Sequence, residues 1–426
     1  SFWEVLDRTR LGDKVEEKVF DMSIFKAVQR LSKEYSIKYD KKEPVPCDDK
    51  LADAVFEAGL RFYTEIGTYC ISTGRVIRFS EAEIRESLAA APDKVQIGEG
   101  KERITVRHRK VEDPEEPLVF GGWQSGLYKD EAAMYRICKT TAAEPSIDGL
   151  WGGGLSSIDG THTILAGAPS EIWSYRRGIE TLRRAVSDSS RPGLTITNSA
   201  PTSAATIAMA DPVKGLRPSD PFNSAGTSEM KIHYDDLNRT AFGIAYSNCP
   251  SASHISVIGG FSATPEGAAI VCVAGTIQAL MVNRGKCIKA NSIPFRVKSR
   301  ALREHIWVSS ISLQALARNT HLVISGSGCN HPAAGPGTAQ YMYEVAAGQI
   351  ASTVSGGHSL GGVRKFVISD TPNYGSPLES RWFGEINKSA VGLTRSKANE
   401  IALYLLAKYE DKLTDAPPRL RVRAAL

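Results

Sequence analysis

The stretch HISVIGGFSATPEGAAIVCVAGTIQALMVNR, residues 254–284, decides how this chain folds. It opens on a short apolar run rich in strand formers (254–260), passes through a small turn, and continues as a longer helical segment (264–284). A second strand-like run, PFRVKS, follows at 294–299. Strand, helix and strand at this spacing are the βαβ signature of a parallel sheet.

The same alternation extends in both directions. Candidate strands are SIDGLWG (146–152), GLTITNS (193–199), SEMKIHY (228–234), AFGIAYS (241–247), HISVIGG (254–260), PFRVKS (294–299), THLVISG (320–326) and KFVISD (365–370). Helical segments at 170–188, 264–284, 300–319 and 338–355 lie between several of them. Eight candidates in a region of this length predict a (β/α)8 TIM barrel. An open doubly wound sheet is the alternative; a nucleotide-binding one would carry GxGxxG after its first strand, whereas WGGG (151–154) runs into LSSIDG, and there is no Walker A motif. The pair 228–234 and 241–247 leaves no room for a crossover helix, so the strand count is approximate.

Before the barrel the texture differs. DDKLADAVFEAGLRFYTEIGTYC (48–70) places Leu51, Val55, Phe56, Leu60 and Tyr63 at helical spacing, and Ser80 with Glu83 forms a capping box ahead of a helix that Pro92 ends. Alternating runs around 94–107 and a short strand in PLVFGGWQSG complete an N-terminal α+β extension. The reading is an extension over 1–142, a barrel over 143–415 and a tail over 416–426.

Composition narrows the function. The chain has 426 residues, 42% hydrophobic and 23% charged, with a net charge of +5. No run approaches the roughly 18 to 20 apolar residues that span a bilayer, and there is no basic stripe of the kind that tracks nucleic acid. The densest basic cluster, Arg107 to Lys110, reads as a solvated hairpin edge. Seven scattered cysteines without CxxC spacing give neither a disulfide framework nor a zinc ribbon, and the N-terminus lacks an apolar signal core, so the expected location is the cytoplasm.

Barrel enzymes place their chemistry at the C-terminal ends of the strands. There the sequence offers Asn198 and Ser199, His233 and Tyr234, Tyr246, Gly259 to Phe261, Ser325 to His331, and Asp370 to Tyr374. RPGLTITNSAPTS (191–203) is either a plain loop after a strand or a strand tip that opens into a site. HPAAGPGTA (331–339), with Gly335 and Gly337, is either a tight loop or a surface for a flat cofactor or a phosphate. His233, His254 or His331 could deliver a proton to a leaving group. Glu229 and His233 would share a face if 228–234 is a strand. Tyr246, Phe261, Tyr341 and Tyr374 are candidate aromatic walls, and Tyr341 also reads as core.

Several of these stretches, taken in order, resemble the monomethylamine methyltransferase family. The carriers are FEAGLRFYTEIGTYCISTGRVIRFSEAEI (56–84), SIDGLWGG, the segment 191–203, SEMKIHYDDL (228–237), IGGF (258–261), HPAAGPGTA, SGG (355–357) and GEINKSAVGL (384–393). The resemblance implies a barrel that passes a methyl group from an amine to a corrinoid protein. The cobalamin would be presented by that partner and not bound tightly here, and the chain would form a homo-oligomer. It also implies that Glu229 is a carboxylate beside the amine. The family's pyrrolysine precedes a Gly-Pro-Glu-Thr-Ser run, here matched by 199–203, which puts Asn198, or alternatively Thr197, at that position with Ser199 next to it. Either placement lacks the electrophilic imine. The family's acid before its Gly-Gly falls near Ser253 or His254, and its Gln and Tyr fall near Cys329, Asn330 and His331.

The expected activity is therefore corrinoid-dependent methyl transfer from an N-methylated small molecule, by a route other than the pyrrolysine one. A non-catalytic binder on the same barrel and a metal-dependent hydrolase or lyase using the histidines are the alternatives.

Overall fold

The computed structural model describes residues 1–122, 127–160, 162–297, 299–361 and 375–417. Its centre is a barrel of parallel strands, each followed by a helix. The strands are β1 (Phe120–Gly122), β2 (Gly149–Trp151), β3 (Thr195–Thr197), β4 (Pro221–Ala225), β5 (Cys249–Ile258), β6 (Cys287–Pro294) and β7 (Val323–Ser325). The helices are α1 (Glu131–Ala142), α2 (Pro169–Asp188), α3 (Ser203–Ala208), α4 (Tyr234–Tyr246), α5 (Pro265–Met281), α6 (Arg303–Asn319), α7 (Ala339–Val354) and α8 (Pro377–Ser389). An eighth stave at His358 and Ser359 bridges in parallel to Ser325 on one side and Val119 on the other, which closes the ring.

One seam lacks a ladder. Between β3 and β4 the carboxylate of Asp220 does the joining: Ile196 N–H donates to Oδ1 at 3.0 Å and Arg183 donates to Oδ2 at 2.5 Å. Arg183 and Asp220 are both buried, and burial pushes the carboxyl up and the guanidinium down from their ordinary values.

The barrel expectation holds, but several staves are not where sequence reading put them. AFGIAYS is the second half of α4, not a strand. SEMKIHY contributes only Lys231–Ile232, which pair with Thr68–Cys70 of the N-terminal region, because Glu229 and Met230 both adopt left-handed φ (58° and 62°) and turn the chain out of the barrel. Two staves were missed: PFNSA, whose proline and asparagine mask a strand, and His358–Ser359. PFRVKS catches only the end of β6, and the first stave is Phe120–Gly122, within the stretch read as extension, pairing with β2. KFVISD lies outside the described residues.

The N-terminal helices are part of the same core. Every residue of α5 from Gly267 to Met281 is buried, since the strands cover one side and the helix Asp49–Ile66 the other. That contact depends on Gly59, where a Cβ would stand 2.6 Å from Val273 Cγ1. The hairpin of Lys94–Ile97 and Ile104–Arg107 caps the barrel floor, packing Val95, Ile97 and Val106 on Cys249, Cys287 and Val323 at the strand starts.

Arg109 is not part of a solvated edge. It is buried and donates to the carbonyls of Thr353 (3.1 Å), Gly357 (2.9 Å) and Glu115 (2.9 Å), pinning the approach to the eighth stave. Burial lowers its pKa to about 10. Among the described residues no helix is long and apolar enough to cross a membrane.

Candidate active site

Because side chains alternate along a strand, every second residue of each stave points inward. The inward set surrounds a cavity of about 170 Å³, comparable to the roughly 150 Å³ engineered cavity that admits benzene. Its walls are Phe120 (β1), Trp151 (β2), Thr197 and Ser199 (β3 and its tip), Asn223 (β4), Ser251, Ser253 and Ile255 (β5), Lys289, Asn291 and Ile293 (β6), and Ser325 (β7). Arg300 and His331 reach it from the loops after β6 and β7.

A hydrogen-bonded chain fixes the polar corner. Arg300 donates through Nη2 to Asn291 Oδ1 (2.6 Å) and through Nη1 to Asn330 Oδ1. Ser327 also donates to Asn291 Oδ1 at 2.9 Å. His331 Nδ1 lies 2.7 Å from Asn330 Oδ1, so that nitrogen carries the proton of this contact.

Of the residues singled out from sequence, Thr197, Ser199 and His331 face this cavity. Thr197 gives its hydroxyl to Pro221 O at 2.8 Å. Asn198 points the other way, bonding Gly153 O (3.2 Å) and the amide of Ser199 (2.8 Å). Asn330 is buried behind the wall as a support for Arg300 and His331.

The remaining residues do not join them. His254 faces the helix layer, with Nε2 2.7 Å from Asn283 Oδ1, and burial lowers its pKa. His233 caps α4 through Asp236 and is partly exposed. The shared face expected for Glu229 and His233 does not exist, since Glu229 lies in the turn before a two-residue strand and His233 caps the helix after it. The three histidines therefore do not gather around one point, and among the described residues no cluster of three or more His, Cys, Asp or Glu could hold a metal. Tyr246 ends α4, bonds Leu216 O (2.6 Å) and stacks on Phe242 outside the barrel. Phe261 is exposed on the β5–α5 loop with Lys231 5.7 Å from its ring. Tyr341 belongs to the core. Tyr374 lies outside the described residues.

Glu229 sits at the rim and not in the cavity wall. Its N–H donates to Ile255 O, and its Oε1 accepts from Val257 N–H at 2.8 Å. Burial raises its carboxyl to about 7, against the opposing pull of the Val257, Phe261 and Ser262 amides. In the loop 331–339 the amides of Ala333 and Ala334 are taken by the Glu344 carboxylate, and that of Gly335 by Pro417 O at 2.8 Å, so Gly335 has no donor left for a cofactor. Gly337 has φ 80°, a turn position that suits glycine.

Sequence reading missed Lys289, Asn291, Arg300, Asn223 and the aromatic pair Phe120 and Trp151. Period-2 alternation in IKAN (288–291) was the available signal, with a lysine and an asparagine two apart on one face.

A closed (β/α)8 barrel with its polar cavity inside the staves and loops from the C-terminal strand ends above it defines a barrel enzyme with a small-molecule site. The sequence profile of the family described as monomethylamine methyltransferase MtmB matches residues 1–423. Monomethylamine methyltransferase MtmB2 of Methanosarcina acetivorans is 26% identical over 419 residues, 97% of this chain and 90% of the relative. MtmB of Methanosarcina mazei is likewise 26% identical over the same span. The crystal structure of the Methanosarcina barkeri enzyme superposes with a TM-score of 0.90 at 23% identity, covering 98% of this chain and 91% of that one. A structure of an MtmB complex with hydroxylamine aligns equally well. The chain belongs to the monomethylamine methyltransferase family and is a methyltransferase.

Proposed function

We propose that this protein transfers a methyl group from an N-methylated small molecule to the reduced corrinoid of a partner protein, without pyrrolysine and with a donor other than monomethylamine. The observation that supports this reading is the wall at the tip of β3. At the tip of β3, where the family resemblance puts Asn198 or alternatively Thr197 in place of the electrophile, the residues that face the cavity are Thr197 and Ser199. Neither captures an amine covalently, so the donor is held by shape, charge and hydrogen bonds alone.

The cavity fits a small amine and is far too small to enclose a corrin ring. A corrinoid carried by a partner protein would meet the open ends of the strands and would supply the nucleophile that accepts the methyl group. This chain's residues orient the donor and govern its leaving group. A quaternary nitrogen leaves as a neutral amine without help. A neutral amine needs a proton, which His331, lining the cavity, would deliver as its imidazolium. Glu229 acts as a positioning residue that accepts from the Val257 amide near the end of β5 and from the Phe261 and Ser262 amides of the β5–α5 loop. The family resemblance also supports a homo-oligomer.

The test is an anaerobic assay of the purified chain with cob(I)alamin and a panel of methylated amines and betaines, followed by the absorbance of methylcobalamin. Methylcobalamin from at least one donor, with monomethylamine inactive, is the expected result. None from any donor would overturn the reading. His331→Asn should lower turnover of tertiary and secondary amines by about 100-fold or more and leave quaternary donors within a few-fold.

A further inference from the structure

We infer that the methyl donor carries, besides its methylated nitrogen, an uncharged arm that both donates and accepts hydrogen bonds, a hydroxyl or a carboxamide, and that Asn223 reads this arm. The inference rests on the methyl-transfer reading above and specifies the substrate class. Asn223 is the middle residue of β4, whose side chains alternate between the two faces: Phe222 packs outward on Phe242 and Tyr246 of α4, and Asn223 lines the cavity. On the next stave, β5, Ser253 also lines the cavity, in register with Ala225 and so two positions along the ladder from Asn223. Asn223 is 5% exposed and Ser253 7%. Among the described residues neither the Asn223 amide nor the Ser253 hydroxyl has a hydrogen-bond partner in the protein.

A ligand that displaces solvent from this cavity must bond to these two groups or leave them bare, and a bare buried polar group weakens binding. Neighbouring side chains set the sense of the bonds. Thr197 of β3 donates its hydroxyl proton to Pro221 O at 2.8 Å, so it offers the cavity lone pairs only. Asn291 of β6 has its Oδ1 taken by Arg300 and Ser327, so it offers its amide nitrogen, a donor. The Asn223 amide and the Ser253 hydroxyl each donate and accept. A hydroxyl or a carboxamide answers both senses. A carboxylate only accepts, which sets its charge against the oxygens of Thr197 and Asn223, and a tetraalkylammonium answers neither.

Phe120 of β1 and Trp151 of β2 stand across the ring of eight staves from β5 and β6, and give methyl groups apolar contact. The donor therefore lies with its methylated nitrogen toward β1 and β2 and its arm toward β4 and β5. For a quaternary donor the N–CH3 bond breaks, its electron pair stays on nitrogen, the methyl group passes to the reduced corrinoid of the partner, and a neutral tertiary amine remains with its arm unchanged.

The experiment is calorimetric titration of the whole chain with choline, N,N,N-trimethylglycinamide, N,N,N-trimethylglycine and tetramethylammonium, whose arms are a hydroxyl, a carboxamide, a carboxylate and none. Choline or the amide should bind about 10-fold or more tightly than both of the others. Asn223→Leu, which keeps the bulk of the side chain and removes its hydrogen bonds, should erase most of that preference while leaving tetramethylammonium within a few-fold. Asn223→Ala carries the same expectation if the leucine variant does not fold, and the comparison of probes on the unaltered protein needs no variant. Trimethylglycine or tetramethylammonium binding as tightly as the better of the first two, no binding by choline or the amide, or a preference that survives loss of the Asn223 amide would overturn the inference. Tight binding of choline or the amide with no methylcobalamin from any donor would sink the methyl-transfer reading and leave the arm site standing. Methylcobalamin from tetramethylammonium but from neither choline nor the amide would do the reverse.

Discussion

Glu229→Gln separates the charge of the rim carboxylate from its shape. Burial holds the Glu229 carboxyl at about 7 in the folded chain, against an ordinary 4.5. Between these values the folded protein keeps a proton that the unfolded chain has lost. The folded state then binds more protons than the unfolded one, so stability falls as pH rises, and the group's unfavourable contribution is complete above pH 7. The difference between 4.5 and about 7, at about 1.4 kcal/mol per pH unit, sets a ceiling of about 3.5 kcal/mol. Glutamine does not titrate. The unfolding free energy of the unaltered protein minus that of the variant should therefore decline by up to about 3.5 kcal/mol between pH 4.5 and 7 and stay level above pH 7.5. Urea unfolding of both proteins at half-unit pH steps measures it. Curves that run parallel across the window, within about 0.5 kcal/mol, would refute the buried, proton-holding carboxyl.

Three further outcomes follow from the packing. Asp220→Ala should cost about 3–5 kcal/mol in urea unfolding, because it leaves buried Arg183 without its counter-ion and opens the β3–β4 seam; a loss under about 1 kcal/mol would mean the seam is held otherwise. Gly59→Ala should cost about 1–3 kcal/mol by driving the Asp49–Ile66 helix off Val273, with thermal unfolding as the readout and an unchanged midpoint as the contrary result. Arg109→Met should loosen the approach to the eighth stave, seen as faster amide exchange at His358 and Ser359; unaltered exchange there would contradict its role as a clasp.

The barrel was legible because its longest units are unambiguous. An apolar strand, a long helix and a second strand within 249–294 leave few topologies, and parallel crossovers of that kind favour a barrel. The short staves were not legible. Pro221–Ala225 offers a proline, an asparagine and a serine, residues poor in intrinsic strand preference, and becomes a strand because β5 offers it a ladder. AFGIAYS has the apolar pattern of a strand yet completes α4, whose start is fixed by a His233 and Asp236 capping box. At the site, the strand tip of β3 and His331 could be found from sequence, since both lie at strand ends marked by polar residues. Asn198 could not be told from Thr197, because which face of a stave points inward is settled only when the ring closes.

By itself the sequence determined the fold class and the family. These are properties of periodicity and residue type, which survive without coordinates. The tertiary structure alone decided which polar groups share a volume. Lys289 and Trp151 are 138 positions apart in the chain and stand on opposite walls of one cavity, while Glu229 and His233, four apart, do not share one. Ring closure and two left-handed backbone angles set those neighbours, and neither is written in local propensity.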